Sequence, residues 1–283
     1  MNVKIAGVPE HFNLPWHMAI EEGTFKAHGV DVDWVDVPEG TGKMCKMLRE
    51  GNADLAIILS EGIIKDIAAG NPSKIVQVYV KSPLIWGIHV AKDSPYKTIN
   101  DIKNTKAAIS RFGSGSHLMA YVNAKNNTWN LDSLQFEVIN NLEGAVKALT
   151  NGTADYFMWE RFTTKPLVDS GVFRRIADCP TPWPCFVIAA THNFIDKNKV
   201  VVKHILNIVN QYTADFKQIP SIDRTLANRY GQKQEDIKTW LSLTQWGQEQ
   251  LSEDTFNAIQ GQLEQLQILD KKEKYREVVL DLS

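Results

Sequence analysis

Two stretches of the chain share one short pattern. Leu48 to Asp54 reads Leu-Arg-Glu-Gly-Asn-Ala-Asp, and Leu149 to Asp155 reads Leu-Thr-Asn-Gly-Thr-Ala-Asp. Both carry Leu-x-x-Gly-x-Ala-Asp, offset by 101 positions. The neighbourhood repeats as well. Met18-Ala19 returns as Met119-Ala120 at the same offset, and Lys4-Ile5-Ala6 returns as Lys106-Ala107-Ala108 at an offset of 102. The strand-like Val32 to Val37 falls on Leu134 to Ile139. Matching order at a nearly constant offset implies two copies of one unit, each running strand, turn, helix, strand, helix, turn, strand. A period this long is outside the range of solenoid repeats, so the copies are expected as paired lobes.

The pattern between the matches gives the fold class. Strands and helices alternate along both copies, which indicates βαβ units and mainly parallel sheets. In the first copy, Leu14 to Phe25 reads as a helix with Pro15 in its opening turn and a stop at Gly23. Ser60 is placed to cap the helix over Ser60 to Ala69. From about Asn198 onward the apolar residues recur at three- and four-residue spacing, as in helices. The expected architecture is α/β and two-lobed, with a helical C-terminal segment. Lobe one is expected to hold residues 1–92 plus 188–283, and lobe two, inserted within it, residues 93–187. The chain then crosses between lobes near residues 90 to 95 and 185 to 192.

Composition narrows the function. The net charge is −2 and no basic run offers a phosphate footprint, so nucleic acid is not an expected partner. No apolar stretch is long enough to span a bilayer. Met1 leads straight into a strand pattern. The reading is therefore cytoplasmic, or, if a leader was trimmed, periplasmic or anchored as a lipoprotein. Cys45, Cys179 and Cys185 make an odd count. That favours buried thiols over a disulfide framework, with a local Cys179–Cys185 bridge as the alternative.

Ligands of open α/β sheets bind outside the carboxyl ends of the strands. In a two-lobed chain those ends are expected to line a cleft that hinge closure buries. Ser110 to His117, Ser-Arg-Phe-Gly-Ser-Gly-Ser-His, is a Gly-Ser turn directly before a helix. Gly113 and Gly115 permit close backbone approach. Ser114, Ser116 and the free N–H groups of the helix start are candidate donors, and Arg111 adds a positive charge. The turn lacks both the P-loop Gly-Lys-Ser/Thr and the dinucleotide-binding glycine pattern. Phe12 and Asn13 lie on the matching turn of the first copy, beside Trp16, and Glu61 and Glu160 each follow a strand end. A solvated surface position is the ordinary alternative for each glutamate; two facing a cleft would suit an amine or ring N–H. Trp159, Phe112 and Trp183 are candidates to stack on a flat ligand, with Trp183 a candidate lid in the rigid Pro180 to Pro184 segment.

Catalytic and metal signatures are absent. The seven histidines show no His-Glu-x-x-His, the Gly-Ser turn is one residue short of a nucleophile elbow, and no Cys/His spacing suits a metal. No cofactor is expected, and the chain is read as a non-enzyme.

Four motifs carry a family resemblance: Ala19 to Trp34 (the A-x-x-x-G-x-F-x-x-x-G-[LV]-x-V pattern), Leu48 to Ile57, Ser110 to Ala120, and Leu149 to Glu160. Together the chain resembles the solute-binding proteins of ABC importers, type II periplasmic binding proteins of the branch for nitrate, sulfonates, taurine and thiamine-pyrimidine precursors. The resemblance spans most of residues 1 to 195. It implies a hinged, monomeric binder that presents its solute to a membrane permease. It also places ligand loops at Phe12 to Leu14, Ser60-Glu61, Arg111 to His117 and Trp159-Glu160. Enzyme relatives that make the thiamine pyrimidine carry a Cys-Cys-Cys-Phe-Cys run, of which only Cys185-Phe186 is present here. A menaquinone-pathway enzyme on the same fold is the remaining enzymatic alternative. The expected ligand is small, anionic or heteroaromatic, and larger than nitrate.

Overall fold

The chain divides into two units, residues 1–82 with 183–283, and residues 83–182. The computed structural model describes residues 1–269 and 271–282. The first unit opens with β1 (Asn2–Gly7), a 3₁₀ turn (His11–Asn13), α1 (Leu14–Glu21), α2 (Thr24–Ala27), β2 (Asp31–Asp36), α3 (Thr41–Arg49), β3 (Leu55–Leu59), α4 (Ser60–Ala68) and β4 (Ser73–Val80). The second unit holds β5 (Ile85–Ala91), β6 (Lys106–Ile109), α5 (Gly115–Asn126), β7 (Gln135–Val138), α6 (Leu142–Asn151), β8 (Tyr156–Glu160), α7 (Lys165–Asp169) and β9 (Phe173–Pro180). The chain then returns to the first unit through β10 (Phe186–Thr191) and the helices α8 (His192–Ala214), α9 (Ile222–Tyr230), α10 (Gln234–Leu243), α11 (Glu253–Gln265) and α12 (Tyr275–Val278).

The repeated motif serves the same local purpose in both units. Leu48 and Leu149 are buried on the last turns of α3 and α6. Gly51 and Gly152 follow with φ of +68° and +71°, the left-handed region where glycine carries no Cβ penalty. The aspartate then clasps the first strand of its own unit. Asp54 N–H donates to the Lys4 carbonyl at 2.8 Å, and its Oδ2 accepts from Lys4 N–H at 2.9 Å. Asp155 does the same to Lys106, both contacts at 2.8 Å, and its Oδ1 also accepts from Tyr96 Oη at 3.0 Å. The motif therefore ends a helix, reverses the chain and sets the register of the third strand against the first. Asp155→Ala is expected to lower stability by about 1–3 kcal/mol, because two donors lose their acceptor. A urea midpoint left unchanged would remove this role.

The two sheets have the same topology. The strand order is β2-β1-β3-β10-β4 in the first and β7-β6-β8-β5-β9 in the second. In each, four strands run one way. The fifth, β10 or β5, is antiparallel to both of its neighbours. β3 and β10 are buried over almost their whole length, as expected of strands covered by helices on both faces. Fully buried Ile5, Ile58, Ile188 and Val80 form part of that core. The α/β, two-lobed reading with a helical C-terminal segment holds; the sheets, expected as mainly parallel, are mixed, each with two parallel and two antiparallel pairings.

Several sequence expectations need correction. Residues 85–91, expected in lobe one, form β5, which pairs with β8 and β9 in the second unit's sheet. Residues 183–187, expected in lobe two, belong to the first unit: Pro184 and Cys185 carbonyls accept from Ser60, and β10 pairs with β3 and β4. β9, with its adjacent Arg174 and Arg175, is a strand that the sequence pattern does not announce. Ser60 is the first residue of α4 and not its cap; Leu59 takes that position, and the Ser60 hydroxyl donates to Pro184 instead. Cys45, Cys179 and Cys185 are all buried thiols.

Candidate functional site

In the first unit, the candidate residues lie at the carboxyl ends of β1 and β3, which are neighbours in the sheet. β1 ends at Gly7, a position with no room for a side chain. An added Cβ would meet the Trp34 ring at 2.6 Å and Asn13 Nδ2 at 3.0 Å. The 3₁₀ turn that follows is fully inward. Phe12 and Leu14 are buried, and the Phe12 carbonyl accepts from Tyr79 Oη at 2.8 Å. Phe12 packs on Phe186 and, edge-on, on Trp240 at 5.1 Å. Asn13 is completely buried; its Nδ2 donates to the Val8 carbonyl at 2.8 Å, and its Oδ1 has no partner among the described residues.

At the end of β3, α4 begins directly. A solvated glutamate is not what stands here, because Glu61 is only 2% exposed. Its Oε2 accepts from Trp183 Nε1 at 2.8 Å, while Oε1 has no partner among the described residues. Burial pushes the carboxyl up to about 7; its own backbone N–H and the Trp183 N–H pull only partway back. Trp183 is itself buried.

In the second unit, the candidates lie at the ends of β6 and β8, again neighbours. The Gly-Ser turn caps α5 as expected. Gly113 has φ of +76°, and the Ser114 hydroxyl accepts from His117 N–H at 3.4 Å. The serines point inward, contrary to their expected role as outward donors. Ser116 Oγ accepts from Ser110 N–H at 2.9 Å and lies 3.1 Å from Ser114 Oγ. What the turn offers outward is Arg111, half-buried, the exposed Phe112 and the helix N-terminus at Gly115. His117 Nδ1 accepts from Gly113 N–H at 3.1 Å, and its ring contacts Phe112, Tyr121 and Phe136.

Trp159 is half-buried near the end of β8. It stacks on Phe157 at 5.4 Å and meets Trp86 edge-on at 6.3 Å. Glu160 closes β8 and is buried; its Oε2 accepts from Thr163 N–H at 2.6 Å. Burial again pushes the carboxyl to about 7, opposed by the Thr163 and Phe162 N–H groups, the Thr163 side chain and Arg161. Phe12, Asn13, Leu14, Ser60, Glu61 and Trp183 thus gather in one unit. Arg111, Gly113, Ser114, Gly115, Ser116, His117, Trp159 and Glu160 gather in the other.

Sequence reasoning misses the residues that brace the 3₁₀ turn. His11 is buried against Trp240 at 4.2 Å, and burial holds it neutral down to about 3. Trp246 Nε1 donates to the Phe12 carbonyl at 3.4 Å. The only signal for them is the tryptophan pair in the C-terminal helical region, which says nothing about a turn more than two hundred residues away. Among the described residues no group of His, Cys, Asp and Glu is placed to hold a metal ion.

Residues 86–179 match the family of Ca3427-like PBP. The structure is similar to the Candida albicans CA3427 gene product, described as having the generic periplasmic binding protein fold. That match has 27% identity, covers 96% of this chain and 92% of the other, and gives a TM-score of 0.87. The chain is of the type II periplasmic-binding-protein fold. The alkanesulfonate-binding protein SsuA from Xanthomonas axonopodis pv. citri, bound to MOPS, shares this fold at 17% identity, covering 95% of this chain and 94% of that one, TM-score 0.81. The periplasmic nitrate-binding protein NrtA from Synechocystis PCC 6803 does so at 18% identity, 83% and 68% coverage, TM-score 0.63. No curated protein matches the chain by sequence. The likeness to the sulfonate- and nitrate-binding proteins is thus one of fold, and the second unit's sequence matches the Ca3427-like PBP family.

Proposed function

We propose that this type II binding protein is the solute receptor of an ABC importer. It takes a small anionic or heteroaromatic solute through the strand-end loops of both units and delivers it to a membrane permease. The two chain crossings serve as its hinges. The observation that carries this reading is the Ser110 to His117 turn. Its serines are consumed in bracing the loop, which leaves Arg111 and the α5 N-terminus as a preformed receptor for a negative group. Phe112 beside it and Trp159 on the neighbouring strand end supply ring faces. The fold is shared with sulfonate- and nitrate-binding proteins, which supports a sulfonate-like head group. An extracytoplasmic location follows from this role; among the described residues no helix is long and apolar enough to cross a membrane.

A thermal-shift screen of sulfonates, carboxylates and pyrimidines tests the reading. A ligand present at a hundred times its dissociation constant stabilises by about 2.7 kcal/mol. With the best anionic hit, Arg111→Ala is expected to weaken binding by about 2 kcal/mol, some thirtyfold, with the unliganded melt unchanged. Equal affinity in the variant and the parent protein would refute the assignment of the turn.

A further inference from the structure

The first unit carries a cleft of about 510 Å³, within the size range of small-molecule sites. Its walls come from the end of α8, the 3₁₀ turn Phe216–Gln218, Lys81 just past β4, and residues 245–249. The last of these run along the outer edge of β4 and are fixed there. Lys81 N–H donates to the Gln245 carbonyl at 2.8 Å, Val78 N–H to the Glu249 carbonyl at 2.9 Å, and Gly247 N–H to the Tyr79 carbonyl at 2.9 Å. None of the lining residues belongs to the loops that follow β1 and β3. The polar side chains of the lining fall into two sets. Thr213 Oγ1 donates to the Asn210 carbonyl at 3.1 Å, Gln218 Nε2 to Asp215 Oδ1 at 3.1 Å, and Gln248 Nε2 to the Asn210 carbonyl at 2.9 Å. Glu249 Oε2 accepts from Gln248 N–H at 2.9 Å. The Lys81 and Lys217 ammonium groups and the Gln245 side-chain amide have no partner among the described residues. What the cleft leaves over is therefore mainly donors, and its two ammonium groups outnumber the one carboxylate of Glu249. Trp246 adds an aromatic wall. It is half-buried, meets Phe216 edge-on at 4.7 Å and Trp240 at 5.8 Å, and gives its Nε1–H to the Phe12 carbonyl. With the N–H engaged, the indole offers the cleft apolar ring surface.

We propose that this cleft is a second binding site, for a small organic acid: Lys81, Lys217 and Gln245 bind its carboxylate or phosphate head, and Trp246 packs against its compact apolar body. Either head presents acceptor oxygens and negative charge, which is what the unspent donors match. A neutral ligand of the same size would leave both ammonium groups without a counter-charge. Lys217 carries a second sign of this. Partial desolvation lowers its ammonium from the ordinary lysine value, and an anion bound beside it raises it again.

Phenyl phosphate, benzoate and benzyl alcohol are suitable probes. The first two join a ring to different anionic heads, and the third is the neutral control. Titration is followed by NMR at the indole N–H of Trp246, identified by its loss in Trp246→Phe. That signal is expected to shift with at least one of the acids at millimolar concentration, and to respond at least tenfold more weakly to benzyl alcohol. The acid that binds tighter names the head group. Lys81→Gln and Lys217→Gln alter exposed side chains, so both should melt like the parent, and each is expected to weaken the acid by about fivefold or more. Lys147→Gln, at an exposed position of the second unit, controls for net charge and should bind as the parent does. A Trp246 signal unmoved by both acids, benzyl alcohol binding as well as they do, lysine variants of the cleft with parent affinity, or equal weakening by Lys147→Gln each overturns the inference.

Discussion

Glu61→Gln is expected to stabilise the protein at about pH 8 and to leave it nearly unchanged at about pH 4. The sign follows from burial. In the unfolded chain the carboxyl ionises near 4.5, whereas in the folded protein it does so near 7. Below 4.5 both states are protonated and the fold carries no penalty. Between 4.5 and 7 the unfolded state ionises first, so stability falls as pH rises. Above 7 the folded protein holds a buried carboxylate at a full cost of about 3 kcal/mol. Glutamine carries no such charge and its oxygen can still accept from Trp183. The difference between variant and parent should therefore grow across that window. Glu160, buried in the other unit with its carboxyl also raised to about 7, should behave alike, and Glu160→Gln should add its own increment. Urea midpoints for both variants at the two pH values decide the matter; a pH-independent difference would mean that burial does not govern these groups.

Trp240→Ala carries the largest expected loss. The indole is 1% exposed and touches His11, Phe12 and Trp246. Removing a buried tryptophan costs about 3–5 kcal/mol, through lost transfer and the cavity left behind. Two further consequences distinguish this position from an ordinary core site. Water admitted beside His11 should restore its titration toward the ordinary histidine value of 6.5 from about 3, which proton NMR can follow. The 3₁₀ turn carrying Phe12 and Asn13 should loosen, so solute affinity should fall although Trp240 is not itself a candidate contact. A variant that melts like the parent and leaves His11 neutral would show that α10 does not brace the turn.

The repeated Leu-x-x-Gly-x-Ala-Asp stretches make the fold legible because their key positions each act locally. The leucine is buried, the glycine turns left-handed, and the aspartate clasps the neighbouring strand. The same local roles imply the same unit, and the two sheets share one strand order. The alternation of strands and helices reveals the fold class for the same reason. Where the sequence misleads, the deciding contact is distant. Whether residues 85–91 belong with β4 or with β8 depends on pairing across about seventy residues, and a buried-type strand looks the same in either sheet. β9 reads as polar because it lies at a sheet edge, where its arginines reach Asp178, Ser94 and Tyr96. Glu61 and Glu160 can be singled out from the sequence as strand-end candidates, with a solvated position as the alternative, and only the folded structure shows them buried. The Gly-Ser turn at the head of α5 and the strand-end glutamates stand where the pattern puts them. The inward use of Ser114 and Ser116, and the bracing of the 3₁₀ turn by His11, Trp240 and Trp246, have no local pattern to encode them.

The antiparallel strand in each sheet also sets an order of assembly. β10, which joins β3 to β4, arrives in the sequence only after all of residues 83–182. During synthesis from the N-terminus, the first sheet therefore waits with an open seam between β3 and β4 while the contiguous second unit emerges and becomes able to fold. Closing that seam is a long-range step of the kind that slows folding and exposes unpaired edges to aggregation. The ribosome thus delivers the keystone of the first sheet late, and the exposed rims of β3 and β4 are where a chaperone would be needed meanwhile.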